Sequence, residues 1–504
     1  MARIVLSTLN ARYIHSALGL RYLKANMGEL EGETEIVEYI IDTRPIDIVE
    51  AIVAREPEIV GFGVYIWNVE QTTQVVGMLK QVAPGITLVL GGPNVSFEQA
   101  SQGIAQYADY IITGNADHRF AQLCRELLSG QRPAAKILSS PPVALEQIEL
   151  PYHLFSDEDI ANRVIYVEAS RGCPFKCEFC LSALDKTAKP FPGDRFFEAM
   201  AQLYERGVRH FKFVDRTFNL NITTSIRILD FFLQRMDERL FLHFEVIPDR
   251  LPEKLKAVLV KFPPGSLQFE IGIQTLNPDV QALISRKQDD DKTAANLAWI
   301  RNETSAHIHA DLIAGLPGED IESFASGFNR LSQMNPHEIQ LGILKRLPGT
   351  PIIRHTERYA MVYSPFPPYN VLSTSCIDFH TMQRINRFAR YWDMIANSGR
   401  FATTKPLILA GQPFERFMQL AEWLFKTTKQ THKIALKRLF NLVHDGLVEA
   451  LGADSDAARE ALWCDFQRAG LKGVPDFMQE PQGKRRPEQG RAAGNVATRQ
   501  SRHN

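Results

Sequence analysis

The sequence lacks a long apolar run, a strong net charge and a large number of cysteines. No apolar run approaches the ~18 residues that a membrane-spanning helix needs. The formal net charge is −1 for 504 residues, so the overall charge does not indicate binding to nucleic acid or to an anionic membrane. The N-terminus leads directly into an apolar, strand-like run and does not resemble a signal peptide. We therefore expect a cytoplasmic protein whose thiols stay reduced.

Three of the six cysteines lie close together in the sequence. Cys173, Cys177 and Cys180 have the spacing Cys-x3-Cys-x2-Cys and follow the apolar run Val164–Val167. The other three are scattered along the chain: Cys124, Cys376 and Cys464. Three thiolates can bind three irons of a cubane cluster and leave the fourth iron open for chemistry, whereas a four-cysteine site mainly stores or transfers electrons.

Other interpretations of the three cysteines agree less well with the sequence. A disulfide is disfavoured because the remaining cysteines are scattered. Structural zinc usually needs four ligands, and no second pair follows. Chance clustering in a core is disfavoured by the neighbours Gly172, Pro174, Lys176 and Glu178. The pattern predicts an iron–sulfur site, with zinc or no metal as the alternatives.

The first part of the sequence predicts an open parallel sheet. Five continuous apolar runs alternate with helix-like stretches: Ile4–Leu6, Ile36–Ile41, Ile59–Val64, Ile86–Leu90 and Tyr110–Ile112. Continuous apolar runs are typical of strands that are buried on both faces. The pattern therefore indicates a doubly wound, Rossmann-like α/β domain over 1–135, with a linker over 136–160. Ligands of such folds bind beyond the C-terminal ends of the strands.

A second series of strand-like runs follows the linker. The six runs are Val164–Val167, Phe211–Val214, Leu242–Val246, Leu267–Ile273, Ile308–Ile313 and Ile339–Leu344. They predict a partial (β/α)6 barrel over 161–360, with its site at the C-terminal strand ends where the cysteine loop begins. A helical domain is expected over 361–480 and a disordered tail over 481–504. Cys376 and His380 have a helical spacing, but one pair is too few for a metal site, and a structural role is expected.

Together these features resemble the radical S-adenosylmethionine (SAM) enzymes, and within them the class that carries an N-terminal cobalamin-binding domain. The chain is similar to a subgroup whose helical C-terminal domain has no assigned role, and the resemblance covers roughly 1–480. It implies that the cysteine loop binds a 4Fe–4S cluster and that SAM chelates the open iron. Reductive cleavage of SAM then gives a 5′-deoxyadenosyl radical.

The resemblance also implies the residues that contact SAM. Eight positions match the family's motifs: Phe179, Val214, Asp215, Glu245, Gln274, Arg286, Asp311 and Gly315. Arg286 would pair with the methionine carboxylate, because a planar guanidinium donates two hydrogen bonds to a carboxylate. Asp311 would bind the ribose hydroxyls, and Gly315 would permit close approach of the adenine. Each position also has a structural interpretation, as an ion-pair partner, a surface charge or a turn.

Cobalamin contacts are implied in the first domain. They are Asn10, Tyr13, Tyr65, Trp67, Gly91, Gly92 and Gly114. The glycines would let the backbone approach the cofactor, and the aromatic rings offer flat apolar surface. The family's Asp-x-His-x-x-Gly motif is absent, and His15 is expected to form a loop hydrogen bond instead. The alternative is a doubly wound domain that binds another ligand or none.

The resemblance implies a cobalamin-dependent radical SAM enzyme that methylates an unactivated carbon. A second hypothesis keeps both cofactors but predicts cyclisation or rearrangement without methyl transfer. A third, from another class, is a non-enzymatic iron–sulfur or zinc sensor. The enzyme hypotheses require an external electron donor such as flavodoxin or ferredoxin and a substrate that the sequence does not identify. Neither a membrane nor a nucleic acid is expected as a partner.

Overall fold

The computed structural model of the chain describes residues 2–478, which divide into two compact units. The first unit comprises the residues up to Glu245 together with Lys345–Arg354 and Tyr363–Asn370; the second comprises Val246–Leu344, His355–Val362 and the residues from Val371 onward. None of the helices in residues 2–478 combines the length and the apolar character of a membrane span. The predicted tail, 481–504, lies outside the described residues.

The N-terminal part of the first unit is a six-stranded parallel sheet. Its strands are β1 Ile4–Asn10, β2 Thr34–Ile40, β3 Ile59–Gly63, β4 Thr87–Gly91, β5 Tyr110–Thr113 and β6 Ile137–Ser139. The strand order is β2-β1-β3-β4-β5-β6 and every pair is parallel. Since β1 has β2 on one side and β3 on the other, the strand order reverses there. A crevice for a ligand forms at the C-terminal edge of such a switch point.

Helices cover both faces of this sheet. They are α1 Leu18–Ala25, α2 Pro45–Val53, α3 Val69–Val82 and α4 Asp117–Leu128. One apolar core joins alternate residues of the strands to α2 and α3, for example Val60 to Ile52 and Val76. A second core joins the opposite face to α1 and α4, for example Ile112 to Phe120. The predicted doubly wound domain is confirmed, and β6 adds a strand that the polar sequence around it did not indicate.

The rest of the first unit contains three parallel strands and the cysteine loop. Its elements are α5 Asp157–Asn162, β7 Ile165–Val167, β8 Ser170–Arg171, β9 Lys189–Pro190, α6 Gly193–Glu205, β10 His210–Phe213, α7 Ile222–Leu233 and β11 Phe241–Val246. β10 pairs in parallel with both β7 and β11. The short antiparallel pair β8–β9 joins the two ends of the cysteine loop.

The second unit begins with three more strand–helix repeats. They are α8 Glu253–Leu259, β12 Leu267–Gln274, α9 Pro278–Leu283, α10 Asp290–Glu303, β13 His307–Ala314, α11 Ile321–Gln333 and β14 Glu338–Ile343. β13 pairs in parallel with both β12 and β14. All six strands predicted for this region are therefore present, three before and three after the boundary at Glu245.

The remaining elements are mainly helical. They are β15 Val362–Tyr363, β16 Val371–Ser373, α12 Phe379–Ile395, α13 Lys405–Leu409, α14 Pro413–Thr428, α15 Leu436–Glu449 and α16 Ser455–Arg468. An aromatic cluster packs α11 against α12 and α14: the ring centroids of Phe328 and Trp392 are 4.8 Å apart, and those of Phe388 and Phe414 are 4.9 Å apart. The predicted fold class, two parallel α/β sheets followed by helices, is confirmed.

Candidate cluster and cofactor site

The cysteine loop leaves the C-terminal end of β7 and folds back before β9. Cys173 and Cys177 are buried and Cys180 is half-buried. The Cys173 amide donates to the carbonyl of Asp185 at 2.9 Å. Burial raises the pKa of the Cys173 thiol, and the nearby thiols of Cys180 and Cys177 raise it further. The thiols of Cys177 and Cys180 therefore lie near enough to Cys173 to affect its ionisation.

The donor set of the loop fits a soft, thiolate-bound metal cluster. Within residues 2–478, no group of three His, Cys, Asp or Glu side chains is arranged to hold a single metal ion. That is compatible with a cubane cluster, in which each cysteine binds a separate iron. Cys376, which is exposed, and His380 join no such group among the described residues.

Gly172 determines how the chain enters the cysteine loop. Its φ is +90°, a left-handed conformation that favours glycine. A Cβ atom at this position would overlap the carbonyl oxygen of Thr187, because the two ends of the loop cross here. The side chain of Thr187 in turn donates to the Asp185 carboxylate at 2.7 Å. The crossing holds the backbone in place directly before Cys173.

A buried ion-pair cluster is formed by Arg171, the residue directly before Gly172. Arg171 donates to the Asp117 carboxylate at 2.9 Å and to the Glu168 carboxylate at 3.0 Å. Its guanidinium carbon also lies 4.5 Å from the centre of the Tyr22 ring. Burial raises the pKa of Glu168, and the positive charge of Arg171 opposes that change. Since Asp117 begins α4, this cluster joins the N-terminal sheet to the start of the cysteine loop.

A cavity of about 530 Å³ opens between the C-terminal strand ends of the N-terminal sheet and the cysteine loop. Its lining includes Gly91, Gly92 and Gly114 on the sheet side and Gly172 and Val214 on the loop side. All lining residues belong to the first unit. The volume lies within the range of roughly 300–1,000 Å³ that is typical of cofactor and ligand sites.

Gly92 lines the cavity, and its backbone packs closely against that of Val64. Its φ is +104°, and a Cβ atom here would lie 2.6 Å from the carbonyl oxygen of Val64. Gly114 also has a positive φ, +81°. Gly92 and Gly114 have no side chains, so a bulky ligand could approach the main-chain atoms at the ends of β4 and β5. This observation fits a large, amide-rich cofactor such as cobalamin.

The structure brings four of the seven predicted cobalamin contacts to this cavity: Tyr65, Gly91, Gly92 and Gly114. Trp67 is exposed and is not part of the lining, but its ring stacks on that of Tyr65 with ring centroids 4.4 Å apart. Asn10 and Tyr13 lie outside the lining: the Asn10 amide donates to Glu38 at 2.9 Å, and the Tyr13 hydroxyl donates to Glu158 at 2.9 Å.

His15 lies in the same loop as Tyr13 and makes a local contact. Its Nδ1 is 2.7 Å from the hydroxyl of Tyr166, and the two groups share a hydrogen bond. Burial lowers the pKa of His15, so the neutral imidazole is favoured. This arrangement agrees with the expected hydrogen-bonding role of the residue.

The predicted SAM contacts of the first unit lie around the cysteine loop. Val214 lines the cavity and Phe179 is half-buried within the loop. Asp215 is buried, and its carboxylate accepts a hydrogen bond from the amide of Ala169 at 2.9 Å. Burial raises the pKa of Asp215 to about 7. Its side chain therefore supports the chain after β7, and the amide of Val214 donates to the carbonyl of Val167 at 2.9 Å.

Glu245, the predicted acid of the third barrel strand, lies near the end of β11. Its carboxylate accepts a hydrogen bond from Arg216 at 2.6 Å, and its side chain is 22% exposed. Arg216 also lines the cavity. The pair brings a positive charge to the loop side of the cavity, beside a carboxylate that partly neutralises it.

Three predicted SAM contacts of the second unit meet around Gly272. Arg286 donates to the carbonyl oxygen of Gly272, and Asp311 lies opposite Gly272 in the β12–β13 register. Gln274 has a φ of +70°, which is uncommon for a residue other than glycine. Its Oε1 is buried and has no hydrogen-bond partner among the described residues. An unsatisfied buried acceptor at a strand end is typical of a ligand site.

Gly315, the fourth predicted contact of the second unit, follows β13 with a φ of +85°. A Cβ atom here would lie 2.5 Å from Val371 and 2.9 Å from Met382. Glycine is therefore required at this position by close packing, in addition to any contact with adenine.

Sequence reasoning missed two ion pairs that support the cysteine loop. One is Arg171–Asp117, described above. The other joins Glu178, which is nearly buried between Cys177 and Cys180, to Arg354 at 2.7 Å. The Glu178 carbonyl also accepts a hydrogen bond from the amide of Ile352 at 3.0 Å. Glu178, an acidic residue between two cysteines, was the only sequence feature that could have indicated this ion pair. Its partner Arg354 is 176 positions away, so the pairing could not be predicted.

Three family models match the chain. A B12 binding domain matches residues 4–124, the radical SAM superfamily matches 167–329, and a protein of unknown function, DUF4080, matches 357–501. The first two matches correspond to the N-terminal sheet and to the segment that begins with the cysteine loop. A radical SAM domain implies a 4Fe–4S cluster and SAM, and a B12 binding domain implies cobalamin. The predicted cofactors are confirmed at this level.

Several relatives share the sequence at modest identity. An uncharacterized methyltransferase of Pyrococcus horikoshii is 25% identical over 66% of this chain and 76% of its own length. The cobalamin-dependent radical SAM methyltransferase TokK of Streptomyces tokunonensis is 22% identical over 58% of this chain and 48% of its own length. A 2-(S-pantetheinyl)-carbapenam-3-carboxylate methyltransferase of Streptantibioticus cattleyicolor is 23% identical, also over 48% of its length. The chain thus matches about half the length of the last two proteins.

Solved structures show the same fold. The radical SAM methyltransferase TsrM of Kitasatospora setae, with cobalamin and a [4Fe-4S] cluster bound, aligns with a TM-score of 0.61 at 15% identity. That alignment covers 94% of this chain and 100% of TsrM. The cobalamin-dependent SAM radical enzyme OxsB aligns with a TM-score of 0.61 at 14% identity, over 93% of this chain and 83% of OxsB.

Proposed function

The chain belongs to the radical SAM enzymes that carry an N-terminal B12-binding domain, and we propose that it transfers a methyl group to an unactivated carbon. One observation carries the proposal: a single cavity of about 530 Å³ adjoins both the bare strand ends of the N-terminal sheet and the loop of the three cysteines. Such a cavity would hold the methyl carrier close to the radical-generating cluster. The names of the methyltransferase relatives support the same reaction type.

The residues of the first unit would hold two cofactors side by side. When bound, the cluster and SAM supply one-electron radical chemistry, and cobalamin supplies a carrier for the methyl group. The thiolates of Cys173, Cys177 and Cys180 would bind three irons of the cluster. The ion pairs of Arg171 with Asp117 and Glu168 would hold the cysteine loop in a fixed position beside the N-terminal sheet. The backbone at Gly92 lines the cavity and would contact cobalamin directly.

The residues of the second unit would orient SAM. Arg286 presents a planar guanidinium that suits the methionine carboxylate. Asp311 would accept hydrogen bonds from ribose hydroxyls. The unsatisfied Oε1 of Gln274 would accept one from a donor of SAM, and its strained backbone would be stabilised by that contact. Placing both cofactors in fixed positions lowers the entropic cost of the reaction.

Two further features belong to the proposal. The enzyme needs a reductant, which we propose to be a flavodoxin or ferredoxin, because the cluster must receive single electrons. We also propose a cytoplasmic location, since a reducing compartment protects the thiolates. No contact with a membrane or with nucleic acid is proposed.

An isotope experiment tests the reaction type. The chain is expressed without oxygen in cells supplied with trideuteromethyl methionine, and the small molecules and peptides are compared with those of cells that carry the Cys173→Ala variant. We expect a product that retains the deuterated methyl group and is absent with the variant. A modified product without label would favour cyclisation or rearrangement. If the purified, iron-loaded and reduced protein never cleaves SAM, the sensor hypothesis would replace the enzyme.

A further inference from the structure

A second cavity, of about 480 Å³, lies within the second unit and apart from the predicted cofactor residues. It is formed by the C-terminal ends of α10 and α11 and by α12, α13 and α16. Its lining includes three basic side chains: Arg301, Lys405 and Arg468. No aspartate or glutamate is among the described residues that line it. The cavity therefore concentrates positive charge.

Two of the three cations lack a carboxylate partner within residues 2–478. Arg301 contacts the imidazole of His337, and its Nε is buried without a hydrogen-bond partner. The ammonium of Lys405 makes no ion pair with any described residue and lies 5.9 Å from the centre of the Trp392 ring. Burial lowers the pKa of Lys405, and the charge of Arg301 lowers it further. Arg301 and Lys405 are half-buried, and a cation removed from water is costly unless an anion compensates it.

The nearest carboxylates are engaged elsewhere. Glu338 lies close enough to affect Lys405, but it is buried and 3.3 Å from His307. Asp465 is also buried, and it accepts hydrogen bonds from the backbone amides of Thr403 and Thr404 at 3.0 and 2.8 Å. Asp465 pairs with Arg468 at 3.1 Å, so only the third cation of the cavity is compensated.

Trp392 provides a second, independent observation that points to an anion-binding site. It is 1% exposed, it lines the cavity, and its Nε1 has no hydrogen-bond partner among the described residues. A buried indole N–H usually finds an acceptor. Ile339, Pro406 and Leu409 provide apolar lining beside it. The cavity thus offers unsatisfied donors, positive charge and an apolar wall in one place.

We propose that this cavity binds a small organic anion, whose carboxylate or phosphate group lies among Arg301, Lys405 and Trp392 Nε1 and whose apolar part contacts Ile339 and Leu409. Most of its lining lies in the helical region that matches DUF4080. The site is separate from the proposed methyl transfer and gives this region a binding role.

Calorimetric titration of the full-length protein tests the site. The probes are phenyl phosphate, benzoate and inorganic phosphate at constant ionic strength, with chloride as the control anion. We expect saturable binding, tighter for the aromatic probes than for inorganic phosphate because the wall is apolar. The comparison of phenyl phosphate with benzoate identifies the preferred charged group. Absence of saturable binding for all three probes would overturn the proposal.

Variants locate the binding. Lys405→Met and Arg301→Gln are each expected to lower the affinity for the tighter-binding aromatic probe at least tenfold. Lys426→Met, at an exposed position on α14, should leave this affinity unchanged. Trp392→Phe removes the indole N–H and should weaken binding less. Arg468→Gln changes a half-exposed side chain, so this variant is used if those at Arg301, Lys405 and Trp392 do not fold. A measurable loss of affinity for the probe is expected for it too. Affinity that is equal in all variants would identify an adventitious ion only and contradict the site.

Discussion

Replacement of Cys173, Cys177 and Cys180 by alanine together is expected to abolish the iron–sulfur absorbance and all cleavage of SAM. Each cysteine would supply the only protein ligand to one iron, and no other thiol lies within the loop. The measurement is iron content, visible absorbance and 5′-deoxyadenosine formation after reconstitution without oxygen. Cobalamin binding should persist, because the bare glycines of β4 and β5 are unchanged.

Cys376→Ala provides the matched control for the cysteine variant. Cys376 is exposed, and its Sγ lies 3.8 Å from the Ser375 hydroxyl. We expect wild-type iron content and wild-type cleavage of SAM. Iron retained by the triple variant, or lost from the control, would show that the cluster is not bound by the predicted loop.

Gly92→Ala is expected to weaken cobalamin binding at least tenfold. The left-handed backbone costs a residue other than glycine about 1–2 kcal/mol, so the strand end is expected to shift and relieve this strain. If the shift removes about 1.4 kcal/mol of contacts with cobalamin, the affinity falls tenfold. In addition, the new Cβ would lie 2.6 Å from a backbone carbonyl oxygen, that of Val64. The strand end must therefore move into the cavity or away from it. Titration with hydroxocobalamin, followed by absorbance, measures the change.

Gly85→Ala is the control in the same domain. Gly85 does not have a positive φ, and a Cβ atom there meets nothing within 4 Å. Its cobalamin affinity should equal that of the wild type, and both variants should keep the iron–sulfur absorbance. Equal cobalamin affinity of Gly92→Ala and wild type would contradict the assignment of the cavity.

The strands could be predicted because their apolar character is local. Each predicted run became a strand in the described residues, since continuous apolar segments such as Ile59–Val64 are buried from both faces by helices. β6 was missed because only Leu138 of its three residues is buried. The glycines and cysteines of the candidate site could be selected from the sequence because their proposed roles depend on residue type and spacing, and these roles stay predictions.

Partners that are distant in the chain could not be predicted in the same way. Arg171 and Asp117 are 54 positions apart, and their pairing depends on how the cysteine loop meets α4. Asn10 and Tyr13 are predicted to contact cobalamin because their loop, Asn10–Ser16, resembles the first loop of the family subgroup. In the structure their polar groups have the internal partners Glu38 and Glu158, which no local pattern indicates.

The central claim is that three cysteines leave one iron open and that SAM binds there. The most direct measurement is electron–nuclear double resonance on the reduced protein with SAM that carries 15N in its amino group. We predict a 15N hyperfine signal from this nitrogen, which is replaced by the corresponding 14N signal when unlabelled SAM is used. A reduced cluster whose spectrum does not respond to SAM would contradict the account.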